Sequence, residues 1–306
     1  MFTGGLSMEF DRLVTEQVNL DSQNLDILSP AEAAVLMNKI DRQAVEAVEK
    51  ALPAIGKAVE AISARLKEGG RLIYMGAGTS GRLGVLDASE CPPTFGVDNT
   101  LVMGVIAGGD YALRNAVENA EDKPELGEAA LKELNVNEKD CVVGISASGY
   151  APYCVGGLTY ARSVGALTLA LACNENTIIS GYADIAIEMP TGPEILSGST
   201  RLKAGTATKL ALNMLSTLTM VQLGKVYRNL MVDMKPSNIK LQDRSVRIVQ
   251  KALNVEREEA EKLYLAADKN TKAAIVMGTV NVEKDAAVQA LKENDGFIRR
   301  AIEALK

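Results

Sequence analysis

The sequence predicts an α/β fold: a doubly wound, five-stranded parallel sheet with helices ahead of it and a small all-helical domain behind it. Three observations predict this. Short apolar runs at 71–75, 101–106, 141–145, 167–172 and 185–187 alternate with helix-like stretches at 111–121, 125–134 and 152–163, and such alternation gives parallel strands covered by helices on both faces. Glycines and hydroxyl residues follow several of these strands, at 76–81, 107–109 and in Ser146-Ala147-Ser148-Gly149. Ligands of parallel sheets bind outside the carboxyl ends of the strands, so the expected site is composite. Beyond Asn238 no strand-like run follows, and 240–306 divides into short amphipathic helices with Asn254, Asn270, Asn281 and Gly296 at or near their boundaries. The expected domains are 8–70 (an arm and helices), 71–238 (the sheet) and 239–306 (helical).

In chain order, Met1 to Ser7 carries glycines and is followed by Met8, and reads as a leader ahead of the natural start. Residues 13–28 are polar and aperiodic and read as an extended arm. Ser29, Pro30 and Glu32 form the signature of a capped helix start: an N-cap hydroxyl, a proline at the first helical position and a capping-box carboxylate. Residues 44–66 continue as an amphipathic stretch interrupted at Pro53 and stopped by Gly69 and Gly70. Two or more helices are therefore expected before the first strand.

The stretch 71–93 reads as strand, phosphate loop, helix, carboxylate. Gly76, Gly78 and Gly81 let the backbone approach an anion, Thr79 and Ser80 add hydroxyl donors, and the following helix presents unpaired N–H groups and its positive dipole end. Glu90 is expected to close that helix, because Pro92 and Pro93 follow it. The same glycine spacing is also the dinucleotide fingerprint, which requires a strand-end acid about 20 residues on for a ribose. Here the nearest such acid, Asp110, lies beyond a glycine turn. A turn without a ligand is the plainest alternative. Further on, 191–203 is a second hydroxyl-rich lead into a long apolar helix running to about Leu223.

Composition excludes several classes. The 306 residues are 47% hydrophobic and 24% charged, with net charge −6, which suits a globular protein and argues against a nucleic-acid surface. No run is long enough to span a membrane, and 1–10 lacks a basic segment followed by an apolar one. With no histidine in the chain, His-based acid–base catalysis and His-ligated metals are out of reach. The four cysteines have no metal-ligand spacing and read as free thiols of a reducing cytoplasm. Glu256, Glu258 and Glu259 near a helix start read as dipole-complementing surface charge.

The strings 76–94, 107–109, 198–207 and 229–233, running from Gly76 to Asp233, resemble the N-acetylmuramic acid 6-phosphate etherases of bacterial cell-wall recycling, a likeness that extends from the N-terminal helix to Phe297. The resemblance implies a flavodoxin-like SIS (sugar isomerase) fold, a UBA-like C-terminal domain and a homodimer; with no metal-ligand cluster and no ribose acid, no cofactor or metal is expected, and the thiols point to the cytoplasm. The resemblance also implies a lyase that removes the C2 proton of the sugar, expels D-lactate from C3 and adds water to the unsaturated aldehyde. Carried over, the general acid on the ether oxygen is Glu90 and the second carboxylate Glu121. Gly78, Thr79, Ser80, Ser146, Ser148, Gly149, Glu194, Ser199 and Lys203 hold the sugar phosphate. Chemistry asks for the same pair, since a C–H acid needs a base and a poor leaving group needs an acid, and without histidine two carboxylates supply both.

The chain departs from the family where the second phosphate loop usually reads Ala-Ala-Ser-Gly-Arg-Thr-Pro-Tyr. Tyr150 and Ala151 replace an arginine and a threonine, while Ser146 adds a hydroxyl; Asn119 replaces a glycine, and the arm around 18–24 also differs. That arm is a further candidate contributor to the site. Two rival functions share the fold: a non-catalytic sugar-phosphate sensor of the glucokinase-regulator type, and an aldose–ketose isomerase. Glu90 and Glu121 favour the lyase, because a sensor needs no acid–base pair.

Overall fold

The computed structural model describes residues 13–234 and 239–306. The expected leader and the expected 238/239 boundary both fall outside the described residues. Five parallel strands, β1 (Leu72–Gly76), β2 (Val102–Ile106), β3 (Cys141–Ser146), β4 (Leu167–Ala172) and β5 (Ile185–Glu188), form one sheet in the order β2-β1-β3-β4-β5. In-register pairing sets Gly76 opposite both Ile106 and Ile145, so the ends of the three strands finish level and open on one edge. At the opposite edge Arg71 and Asp140 fasten β1 to β3. Both Arg71 N and Nε donate to Asp140 Oδ1 at 3.0 Å, and Nη2 meets Oδ2 at 2.6 Å. Burial opposes ionisation of Asp140, but the guanidinium and the backbone N–H groups of Asn137 and Arg71 outweigh it and hold the carboxyl below its ordinary range.

Helix α1 (Pro30–Lys67) begins on the expected capping box, with Ser29 and Glu32 bonded reciprocally. It corrects the expectation of several helices, because Pro53 lies inside one continuous helix. A proline there removes one bond, to the carbonyl of Glu49, and that residue is exposed and can be hydrated. The buried stripe of Ile40, Ala44, Val48, Ala51, Ile55, Ala58, Ile62 and Leu66 runs unbroken past it. Helix α2 (Gly78–Phe95) carries a similar correction. It passes through Pro92 and Pro93 instead of closing at Glu90; the carbonyl freed by Pro93 belongs to the exposed Ser89, and Gly96 N still donates to Pro92 O at 3.0 Å.

Residues 111–121 do not form the expected helix. A short 3₁₀ turn at Asp110–Leu113 gives way to irregular turns, and Asn119 takes a left-handed φ of 61°. Arg82 accounts for this: its guanidinium donates to the carbonyls of Leu113 (3.2 Å) and Asn115 (3.0 Å), which a helix would have used internally. Helices α3 (Pro124–Glu133) and α4 (Pro152–Ser163) follow as expected, and α5 spans Lys203–Gln222. The arm at 13–28 is a chain of three 3₁₀ turns, Val14–Glu16, Leu20–Ser22 and Leu25–Ile27.

The chain divides into two compact units. One runs to Ser89 and resumes from Thr100 to Ser216; the other takes Glu90–Asn99 and Thr217–Lys306. The second contains the short helices α6 (Ile239–Leu253), α7 (Arg257–Ala266), α8 (Thr271–Val280), α9 (Lys284–Glu293) and α10 (Ile298–Ala304). Asn270 caps α8 by accepting from Ala273 N, and Asn281 ends it in the left-handed conformation. Its core gathers Val249, Tyr264, Ile275, Val276, Ile298 and Ile302.

Candidate functional site

A cavity of about 320 Å³ opens where the strand ends finish level, lined by Gly78, Thr79, Ser80, Glu121, Ser146, Ser148, Thr200, Gly205 and Thr208 among others. That size suits a small ligand. The anion end begins at α2. Gly81 N donates to Ala77 O, so the N–H groups of Gly78, Thr79 and Ser80 are the first three of the helix and have no turn before them to bond. All three residues line the cavity, at the positive end of the helix dipole. Gly81 is required by close approach: a Cβ there would stand 2.6 Å from Gly76 O and from the Ile106 side chain.

The second loop is organised by its own hydroxyls. Ser146 Oγ accepts from Gly149 N (3.1 Å) and Ala151 N (3.4 Å), Ser148 Oγ accepts from Tyr150 N (3.2 Å), and the two oxygens lie 3.3 Å apart. With the oxygens engaged as acceptors, one hydroxyl proton serves the pair and the other is available to an anion in the cavity. Gly149 does not line the cavity. Its φ of 78° and a Thr177 Cβ only 2.3 Å from a would-be side chain make it the turn that shapes the loop.

Glu121 is on the cavity wall. The residue as a whole is exposed, yet its carboxyl is crowded by the wall, and that desolvation, with the neighbouring charge of Asp122 second, pushes its pKa up. Its backbone is fixed by Tyr153 N donating to Glu121 O at 2.9 Å. Nearby Cys154 is fully buried, with its thiol pushed to about 12 chiefly by burial, and is chemically inert. Glu90 is not on the wall. It is exposed on the fourth turn of α2, about 18 Å along the axis from Gly78 at 1.5 Å per residue.

Glu194, Ser199 and Lys203 also lie off the wall. Glu194 is fully buried and accepts from Lys203 N (3.0 Å) and Ala204 N (2.9 Å), capping α5. Burial pushes its pKa up against those two bonds. Lys203, equally buried, turns its Nζ to Gln43 Oε1 (2.6 Å) and Pro193 O (2.8 Å), and burial lowers its pKa. Ser199 N donates to Leu196 O in the turn before α5. These residues build the start of the helix whose first turns bring Gly205 and Thr208 to the cavity. Glu194→Ala should therefore cost roughly 3–5 kcal/mol, since it strands two buried N–H donors and removes the larger of the two negative charges, Glu194 and Asp41, that compensate Lys203. Thermal denaturation measures this directly.

Several wall residues were not assigned from sequence; besides the apolar Ala77, Leu83, Ile145 and Ala147 they are Thr200, Gly205, Thr208 and Glu16. Thr200, Gly205 and Thr208 had a readable signal, a hydroxyl-rich lead into a helix with 205 and 208 one turn apart on one face. Glu16, from the arm, had none beyond the arm's polarity.

A parallel sheet in the order 2-1-3-4-5, with a phosphate-ready helix N-terminus at the end of its first strand, is the flavodoxin-like arrangement, and two family models make it a SIS domain. Residues 116–218 match the SIS domain model, and 54–162 match the glucokinase regulatory protein N-terminal SIS domain model. A solved capsule-formation protein of Bacteroides fragilis shares the fold at 18% identity, with a TM-score of 0.50 over 66% of this chain and 95% of that one. Among curated proteins, an N-acetylmuramic acid 6-phosphate etherase of Salmonella agona is 53% identical over 296 residues, covering 97% of this chain and 100% of the relative. N-acetylmuramic acid 6-phosphate etherase 2 of Lactiplantibacillus plantarum is 53% identical over 96% of this chain, and a Bacillus cereus etherase is 52% identical over 95%. The chain belongs to the N-acetylmuramic acid 6-phosphate etherase family.

Proposed function

We propose that this chain cleaves the D-lactyl ether of N-acetylmuramic acid 6-phosphate to N-acetylglucosamine 6-phosphate and D-lactate, as a cytoplasmic homodimer in peptidoglycan recycling. The observation that carries this reading is a single cavity joining an unpaired helix N-terminus to a carboxyl of raised pKa, in a chain that matches etherases along nearly its whole length. The 6-phosphate sits against the N–H groups of Gly78, Thr79 and Ser80 with hydroxyl help from Ser146 and Ser148. Ring opening exposes an aldehyde that acidifies C2. Glu121 takes the C2 proton, and the C3–O bond breaks as the lactate oxygen receives a proton from the general acid, Glu90 by resemblance. Water then adds at C3, and C2 takes back a proton. Only protons and water are exchanged, so the reaction calls for no redox cofactor. Gly149, Glu194, Ser199 and Lys203 act in this scheme by shaping the loop and helix that carry the ligand-facing groups.

Incubation with N-acetylmuramic acid 6-phosphate and assay of D-lactate tests the proposal, with the unphosphorylated sugar as control. A second reading, a non-catalytic sugar-phosphate sensor, is favoured by the match of 54–162 to the glucokinase regulatory SIS model. Tight sugar-phosphate binding without lactate release would establish that reading instead.

Tyr150 offers a gentler test. An arginine at this loop supplies fixed charge and two aligned donors, and tyrosine keeps one hydroxyl. The α2 N-terminus and Ser146 remain, so Tyr150→Arg is expected to lower KM with kcat largely unchanged, the signature of added uniform binding. Steady-state kinetics at fixed ionic strength decides it; an unchanged KM would show that this loop accepts a different ligand.

A further inference from the structure

Glu16 is the arm's contribution to the cavity wall, and the arm is held there by buried polar side chains. Thr15 is fully buried. Its N–H donates to Asn174 Oδ1 at 3.3 Å, and Asn174 Nδ2 donates back to Thr15 Oγ1 at 2.9 Å. The same amide nitrogen reaches Ala147 O (3.1 Å) and Ser148 O (3.3 Å), the carbonyls of the second phosphate loop. Further along, Asn19 Nδ2 donates to Pro193 O at 3.1 Å and Ser22 Oγ to Ile195 O at 2.7 Å. One amide, Asn174, thus ties the residue next to Glu16 to the loop that serves the anion end. Glu16 Oε2 also lies 3.4 Å from where a Cβ of Gly198 would stand, in ordinary van der Waals reach of the turn before α5.

The Glu16 carboxylate accepts no hydrogen bond among the described residues, and no lysine or arginine lines the cavity. A carboxylate is acceptor-only. It repels a phosphate or a lactyl carboxylate, so its complement in a sugar phosphate is a hydroxyl or amide N–H. We propose that Glu16 is a specificity-determining residue that accepts hydrogen bonds from the hydroxyl or acetamido N–H donors of a sugar phosphate in the cavity, with the Thr15–Asn174 pair as its positioning device. This rests on the sugar-phosphate reading above and adds to it the residue that selects the sugar.

Calorimetric titration of N-acetylglucosamine 6-phosphate and of inorganic phosphate into Glu16→Ala and Glu16→Gln tests the proposal without turnover. Loss of a charge-assisted hydrogen bond should weaken sugar-phosphate binding by about 10–100-fold in the alanine variant and less in the glutamine variant. Inorganic phosphate should bind as well as before, or tighter, because a repelling charge has gone. In turnover, KM should rise with kcat kept within a few-fold. Thr15→Val should raise KM in the same direction, and Thr15→Ser, which keeps the hydroxyl, should restore it. The proposal is overturned if Glu16→Gln binds the sugar phosphate as tightly as the unaltered chain or tighter, which would make Glu16 a mere repelling charge. It is equally overturned if kcat collapses at constant KM, which would place Glu16 in proton transfer, or if the unaltered chain binds no N-acetylglucosamine 6-phosphate. Binding without D-lactate release would overturn only the etherase reading and leave the role of Glu16 in place.

Discussion

Glu121→Gln is expected to fold normally, bind the sugar phosphate and release D-lactate about 10²–10⁴ times more slowly, the usual worth of one acid–base group. The substitution preserves volume, and the contact that fixes this turn, Tyr153 N to Glu121 O, is made by backbone, so a fold effect is not anticipated. The pH profile makes the assignment sharper. Desolvation, with Asp122 second, raises the Glu121 pKa, and a base must be ionised to work. The acid limb of kcat should therefore lie above the ordinary glutamate range, with the rate rising as pH climbs through it. If Glu121 were the acid instead, the same group would give a limb on which the rate falls with rising pH. The stability sign is separate: a carboxyl raised on folding contributes stability at low pH that is lost as pH rises through its folded pKa. A near-normal lactate rate in the glutamine variant would remove Glu121 from the chemistry.

The anion end of the site was legible because its demands are local. Gly76, Gly78 and Gly81 announce a backbone that must come close to something, and Thr79 and Ser80 lie within one turn of them; no distant contact is needed to interpret that pattern. The sheet was legible for a similar reason, since strand alternation is written within each segment. What escaped depends on partners far along the chain. Glu16 reaches the cavity on an arm fastened by distant partners, Thr15 to Asn174 across 159 residues and Asn19 and Ser22 to Pro193 and Ile195, and no local pattern encodes that. The misread helices failed on a different point: Pro53 and Pro93 free the carbonyls of Glu49 and Ser89, which are exposed and can be hydrated, while Pro92 frees that of the buried Ala88 and the helix still continues to Phe95. At 111–121 the periodicity was helical, but the Arg82 guanidinium claimed the carbonyls of Leu113 and Asn115.

Glu90→Gln is expected to cost a comparable 10²–10⁴ in lactate release if Glu90 protonates the departing lactate oxygen, with sugar-phosphate affinity retained. Geometry makes this the more demanding test. Glu90 is exposed and about 18 Å up the α2 axis from the phosphate-binding turn, a longer span than a hexose phosphate, and it is absent from the wall that Glu121 helps to form. In a homodimer the acid could come from the second copy, and mixing the two inactive variants separates the cases. A dimer of one Glu90→Gln chain and one Glu121→Gln chain has a single intact pair only if the two carboxylates of a site come from different chains. Random pairing makes half of the dimers mixed, so subunit exchange should then restore about a quarter of the unaltered activity. If both carboxylates of a site come from one chain, mixing restores nothing. Full activity in Glu90→Gln alone would end its candidacy, and the proton for the leaving group would have to come from water or from a group already on the cavity wall.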